Sequence, residues 1–352
     1  MRPSLSRKVL ALIFCGLLAS ACGGPDPSTT PNTEESQSLT IYTGRDKDEV
    51  AQVVDLFTKQ FPQYQDKVAT VILPAQEALT RLRAEQSNPQ AGFLWGGTLQ
   101  ALQQAAAEQL LAPSNPTHGD LIERKDAEGR WHAEMLLPEV IVYNHDLLKP
   151  EQAPKDWDDL TTPAFKGKIV IRDVMVSGTM RTIFSAMIYR QNGAQSPEAG
   201  YAWLKKLDAN TITYAANPDD MYFKIDRGVG TVTLWNLQDA LIQPLKNKRP
   251  WSYVIAASGV PVLVDGVGIV NNPKSMKAAE DFQNFLLEPK LQAQLARDYY
   301  QIPAMKVADA DKPEWLLKLN IKEMDIDWNL MGQKESEWMG YWAKNIKGKG
   351  GN

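Results

Sequence analysis

The chain has 352 residues, with 38 Lys and Arg against 42 Asp and Glu, for a formal net charge of −4. Hydrophobic residues make up 43% and charged residues 23%, an ordinary globular balance with room for about two domains, each with its own core. Mild acidity without a long basic run excludes a typical nucleic-acid binder, and two cysteines with three histidines are too few for a disulfide scaffold or a zinc module.

Arg2, Arg7 and Lys8 precede an apolar run at 9–18. A basic start followed by a run too short to span a bilayer is the layout of a secretory signal. Ala19-Ser20-Ala21-Cys22-Gly23 resembles the lipobox of bacterial lipoproteins, although Ala19 replaces the commoner Leu. In such proteins cleavage falls before the cysteine, which is then acylated with fatty acids such as palmitate. The alternative is a plain Ala-x-Ala cleavage site with Cys22 incidental. Cleavage before Cys22 leaves it as the only cysteine, and its acylation removes the last free thiol, which suits an oxidising compartment. The stretch 24–38 is polar and carries three prolines, so it cannot offset its ordering entropy. The expectation is a signal peptide over 1–21 and a disordered tether over 22–38.

The body alternates strands and helices. A strand is predicted at 39–43, then a helix with Val50, Val53, Val54, Phe57 and Phe61 on one face, a strand at 67–73 and a helix around Leu79 and Leu82. Phe93-Leu94-Trp95 reads as a strand ended by Gly96-Gly97, and Thr98 fits the N-cap of the next helix. A further strand is expected at 140–144. A second series has strands at 168–171, 211–215, 229–235 and 251–256, and helices near 179–190, 197–207, 217–226 and 237–246. The stretch 260–270 reads as two strands joined by a tight turn, followed by helices at 274–287 and 289–299. The tail, with Trp315, Trp328, Trp338 and Trp342, reads as core packing that wraps the body. Strand–helix alternation with glycine-rich turns argues for an α/β fold.

Covalent chemistry has no motif here: G-x-S-x-G, the P-loop and H-E-x-x-H are all absent. His118, His132 and His145 occupy polar, loop-like or strand-edge contexts without metal-ligand spacing. Asp325-Ile326-Asp327-Trp328-Asn329 mimics the start of a calcium loop, but Leu330 and Ser336 stand where glycine and glutamate are required. No catalytic residue, metal site or cofactor is expected.

Three glycine-bearing turns follow apolar strands and precede helices: Thr43-Gly44-Arg45, Gly96-Gly97-Thr98 and Ser177-Gly178-Thr179. Each would offer backbone N–H groups and a hydroxyl at a helix N-terminus, a setting for an anion or an oxygen-rich ligand. Singly, each reads as an ordinary capped turn; together, at strand carboxyl ends, they favour a binding cleft.

At this point the chain resembles the iron/phosphate-ester cluster of extracellular solute-binding proteins of ABC transporters. The resemblance rests on LTIYTGRDKDEV, FLWGG, VIVYNHDLL, PKDWDDLTTPAFKGKIVIRDVMVSGTMRT, VDGVGIV and YYQIP, which together span most of residues 39–304. It implies a type II periplasmic-binding-protein fold: two α/β lobes, joined by two crossover strands, that close on a ligand. Lobe 1 would be 39–143 with 262–310, lobe 2 would be 146–258, and 311–352 a helical tail packed on the body. Tyr143-Asn144 and the stretch from Ser258 to Pro261 would be the crossovers. The protein would be a periplasmic, lipid-anchored monomer that hands a small solute to an ABC permease driven by an ATPase subunit, with no nucleic acid involved.

Under the resemblance, Thr43, Gly44, Arg45, Trp95, Gly96, Gly97 and Thr98 form the lobe-1 wall. Ser177, Gly178, Thr179, Arg181, Trp235 and Asn236 form the lobe-2 wall. Arg45 and Arg181 would add charge-assisted bonds, or be helix-start surface arginines; Trp235 would stack on the ligand, or be core. Asp265 lines the cleft or merely sits in a turn. Ferric members use an adjacent tyrosine pair, a His and a Glu; here these positions fall on Asn236-Leu237, Asp46 and Gly97. Fe(III) requires several anionic oxygen donors, so a small organic anion, a phosphate ester or phosphonate, is expected over iron. The competing readings are a ferric carrier and an exported enzyme on the same architecture.

Overall fold

The computed structural model describes residues 37–349. The signal peptide over 1–21, Cys22 and the tether up to residue 36 lie outside the described residues.

The first lobe begins with β1 (Leu39–Thr43), α1 (Lys47–Gln60), β2 (Val68–Ile72), α2 (Ala75–Ala84) and β3 (Phe93–Thr98), with β1 parallel to both β2 and β3. The apolar stripe of α1 is what docks it. Val50, Val53 and Phe57 are buried, and the Phe57 ring lies 5.1 Å from Phe282 and 5.4 Å from Phe285. Beyond β3 come α3 (Leu99–Ala107), the two-residue β4 (Leu111–Ala112) and the long β5 (His132–Asn144).

The second lobe holds β6 (Ile169–Arg172), α4 (Gly178–Ile188), α5 (Glu198–Asn210), β7 (Thr211–Ala215), α6 (Pro218–Asp226), β8 (Val232–Asn236), α7 (Leu237–Asn247) and β9 (Trp251–Val254). There β6 runs parallel to β7 and β8, while the far half of β5 runs antiparallel to β8 and β9. The chain then returns to the first lobe through β10 (Val262–Val270), α8 (Met276–Leu286), α9 (Pro289–Tyr299) and β11 (Ile302–Pro303). It ends in α10 (Glu314–Lys318) and α11 (Trp328–Asn345).

The strand order is β2-β1-β3-β10-β5-β8-β6-β7. β5 belongs to both lobes: residues up to Pro138 pair with β10, and residues from Glu139 pair with β8. Pro138 has no N–H to donate, so it suits the point at which the ladder changes partner. Two separate cores result. One centres on Phe57, Phe93, Trp95 and Phe282, the other on Trp157, Phe184, Trp338 and Trp342. The tail is thus core for the second lobe: Trp338 and Trp342 of α11 are fully buried.

Three expectations need correction. The stretch 260–270 holds one strand, β10, and not two joined by a turn. Its glycines serve close strand packing, since a Cβ on Gly266 would meet the His132 carbonyl oxygen at 2.5 Å and one on Gly268 the Arg130 carbonyl oxygen at 2.9 Å. The strand expected at 140–144 starts at His132, because Glu134, Pro138 and Glu139 mask its apolar pattern. His132 is buried, not at a polar edge, and burial lowers its pKa to about 4.

Candidate functional site

The first wall is built where β1, β3 and β10 meet. Asp46 caps α1 by accepting from the Asp48 N–H at 2.9 Å, and Thr43 Oγ1 accepts from the Arg45 N–H at 3.1 Å. This fixed turn sends the Arg45 side chain inward. Its Nη2 donates to Glu134 Oε2 and, at 3.0 Å, to Asp265 Oδ1; Glu49 lies 3.9 Å from its Nε. Glu134 also accepts from Trp95 Nε1 at 3.1 Å and from Gln301 Nε2 at 3.0 Å. Asp265 Oδ1 accepts in addition from the Gly97 N–H at 3.2 Å. Gly96 has φ +95°, which requires glycine, and stands beside Gly44, Arg45 and Asp265.

The charges in this cluster shape one another. Burial opposes the Arg45 charge, but Asp265, Glu134 and Glu49 outweigh it and raise the guanidinium pKa. Burial pushes Glu49 up to about 8 despite Arg45, and Asp265 up to about 6. The carboxylates therefore already hold a cation of the protein's own.

The second wall lies at the carboxyl ends of β6 and β8. Ser177 Oγ accepts from the Met180 N–H at 3.3 Å and caps α4, whose first amides have no partner within the helix. Asn236 caps α7 by accepting from the Asp239 N–H at 2.8 Å. Asp239 Oδ2 collects Trp235 Nε1 at 2.5 Å, Tyr222 Oη at 2.8 Å and Asn236 Nδ2 at 3.2 Å. Burial, then Asp239, raises the Tyr222 pKa well above its ordinary value. Arg172, the last residue of β6, is only 7% exposed, its Nε has no partner, and among the described residues it joins no ion pair. Burial lowers its pKa, with Asp173 and Tyr222 acting against that. Glu139 in β5 is fully buried with both carboxyl oxygens unpartnered, and burial, then Asp239, raises its pKa well above the usual range.

The two walls touch. A Cβ on Gly178 would come within 2.5 Å of Thr98 Cγ2, so the turns before α3 and α4 meet face to face. Further along, Gln238 Nε2 donates to the Tyr299 carbonyl at 2.9 Å, and Lys246 Nζ lies 4.3 Å from the Tyr299 ring centre. Thr43, Gly44, Arg45, Gly96, Gly97 and Thr98 thus gather at one end of the first lobe, opposite Ser177, Gly178 and Thr179. Trp95 is core and touches this region through Glu134. Trp235 and Asn236 are both bound to Asp239. Arg181 turns aside, its Nε donating to Glu335 Oε1 at 2.5 Å.

Sequence reasoning missed Glu49, Glu134, Glu139, Arg172, Tyr222 and Asp239, and set Asp265 aside. A signal existed for three of them. Glu134 and Glu139 are acids inside an otherwise apolar run, and Arg172 closes the apolar strand Ile169-Val170-Ile171; charged residues at such places need partners or a ligand.

Residues 91–329 match the family of bacterial extracellular solute-binding proteins, and the chain belongs to that family. It is 27% identical over 269 residues to a probable ABC transporter periplasmic-binding protein of Sinorhizobium fredii, covering 75% of each chain. It is 24% identical over 307 residues to iron uptake protein A1 of Synechocystis, covering 82% of each. The fold matches that of the periplasmic binding protein AfuA from Actinobacillus pleuropneumoniae, solved with fructose-6-phosphate, with a TM-score of 0.74, 23% identity, and 88% and 98% of the two chains covered. The architecture is that of a two-lobed periplasmic binding protein.

Proposed function

We propose that the protein is the receptor of an ABC importer for a small organic anion, a phosphate ester or phosphonate, gripped between the two lobes. The observation that carries this reading is Arg172, at the carboxyl end of β6: it is 7% exposed, its Nε is unpartnered, and among the described residues it joins no ion pair. An unpaired buried cation is costly unless an anion joins it. The N-termini of α3, α4 and α7 add backbone amides, and burial favours the protonated form of Glu139, which offers a hydrogen-bond donor. Arg45, Glu134 and Asp265 position the Gly96-Gly97 turn, and Asp239 holds Trp235 and Asn236. A solute that touches both walls stabilises the closed lobes, since only there are both sets of contacts made. The sugar phosphate of AfuA fits this chemistry. The iron relative does not transfer as readily, because Arg45 already neutralises the lobe-1 carboxylates.

The test is calorimetric titration with fructose-6-phosphate, other sugar phosphates and alkylphosphonates. Loss of a charge-assisted bond costs about 1.5–3 kcal/mol, so Arg172→Gln should weaken binding roughly 10- to 150-fold without product formation. Undiminished affinity in the variant would remove Arg172 from the site; a visible tyrosinate–iron band on adding ferric salt would install iron as the cargo.

The same reading places the body outside the cytoplasm on a lipid anchor at Cys22, working as a monomer with a permease and its ATPase. Cys22→Ser should move the protein from the membrane fraction to the soluble fraction; persistent membrane attachment would count against acylation.

A further inference from the structure

Beyond the Thr98–Gly178 contact lies a cavity of about 590 Å³ that the solute site does not use. Its walls come from both lobes: Gln76, Gln103 and Gln104 on one side, and Asn329, Gln333 and Ser336 of α11 on the other. Neither Arg172, Tyr222, Glu139 nor Asp239 lines it. Its volume falls within the roughly 300–1,000 Å³ of small-molecule sites. We infer that this cavity is a second binding site, for a neutral, hydroxyl-rich molecule such as a sugar or cyclic polyol.

The chemistry of the wall selects that class. Its two formal charges, Arg181 and Glu335, are paired with each other at 2.5 Å, so no ion is called for. The rest of the polar wall is carboxamide and hydroxyl. A carboxamide offers two donors and one two-lone-pair acceptor, which complements a hydroxyl that both donates and accepts. Apolar surface is limited to small residues such as Ala101 and Gly332, so a flat apolar ligand finds little to pack on. Gln103 Nε2 donates to Asn329 Oδ1 at 2.8 Å, which pins α3 to α11 and leaves Gln103 Oε1 and the Asn329 amide to accept and donate. Gln100, also in the wall, is 8% exposed and has neither amide atom partnered, so a small turn of its side chain toward the cavity would let a bound hydroxyl satisfy it. Because α3 belongs to the first lobe while α4 and α11 pack in the second, occupancy also favours closed lobes. Binding here and binding of the anion are therefore mutually strengthening.

The test is ligand-observed saturation-transfer NMR on the full chain, with D-glucose and myo-inositol as probes at millimolar concentration. The expected result is transfer to at least one probe. It should persist in Arg172→Gln, survive excess fructose-6-phosphate, and vanish in Gln103→Leu combined with Gln333→Leu at an unchanged melting temperature. No transfer to either probe overturns the inference. So does transfer that persists in the double variant, or that fructose-6-phosphate displaces, since the latter places the polyol in the anion cleft. The anion reading rests on Arg172 alone and stands or falls separately.

Discussion

Glu49 shows how one buried acid couples the site to pH. Its carboxyl is 3.9 Å from Arg45, outside hydrogen-bond range, and one of its oxygens has no partner. Burial wins over the guanidinium and sets the pKa to about 8, against an ordinary value of 4.5. The folded chain therefore keeps a proton that the unfolded chain releases, and stability falls as pH rises from 4.5 to about 8. Asp265 adds a slope of the same sign over the lower window, from 3.8 to about 6. Glu139 acts in the same direction. Glu49→Gln should leave the melting temperature near its acidic value and flatten its decline above about pH 6, where Asp265 has finished titrating. Parallel melting-temperature curves for the variant and the parent protein would show that Glu49 does not carry the proton. None of this was legible from the sequence, because Glu49 reads there as one more polar residue in the first turn of an amphipathic helix. Its surroundings are assembled from far along the chain, as where Asp265 of β10 reaches Arg45.

At the scale of elements, legibility followed periodicity. The stripe of α1, the helices α8 and α9, and the capped turns before α3 and α4 were readable because local spacing alone determines them. The long strands that were misread are β5, which spans both lobes, and β10, with which the chain re-enters the first lobe. β5 carries Glu134, Pro138 and Glu139 through a sheet interior, a pattern that argues against a strand until its partner change after Pro138 is known. β10 spends Gly266 and Gly268 on close approach to β5, and two glycines five and seven residues after Pro261 mimic a turn. The two misreadings have different origins: β5 serves the sheets of both lobes, whereas β10 stays in the first lobe's sheet and was misread through its glycines. The same strands supply Glu134, Glu139 and Asp265, so the part of the fold hardest to read is also where the missed site residues lie. The Trp-rich tail was readable as packing, since Trp338 and Trp342 recur at helical spacing, but its reach to α3 through Asn329 and Gln103 depends on tertiary placement.

At the scale of the molecule, closure turns on the one place where the two capped turns meet. Thr98 cannot swing its methyl away freely, because its Oγ1 accepts from the Ala101 N–H at 3.2 Å and so caps α3. Gly178 is the residue opposite, and any Cβ there would need space that the closed lobes do not have. Each lobe keeps its own core and cap in Gly178→Ala, so the free protein should melt as before. Only the closed arrangement is overpacked, at a cost of about 1–3 kcal/mol, so solute affinity should drop roughly 5- to 150-fold. Solution scattering should show a smaller compaction on adding the solute. Thr98→Ser supplies the reciprocal change, since serine keeps the capping hydroxyl and lacks the methyl. In the Gly178→Ala background it should restore both affinity and compaction, which a general destabilisation of α4 would not allow. If Gly178→Ala binds and closes like the parent protein, the Thr98 contact is not where the lobes meet in solution, and the gripping wall must be sought nearer Arg172 and Glu139 alone.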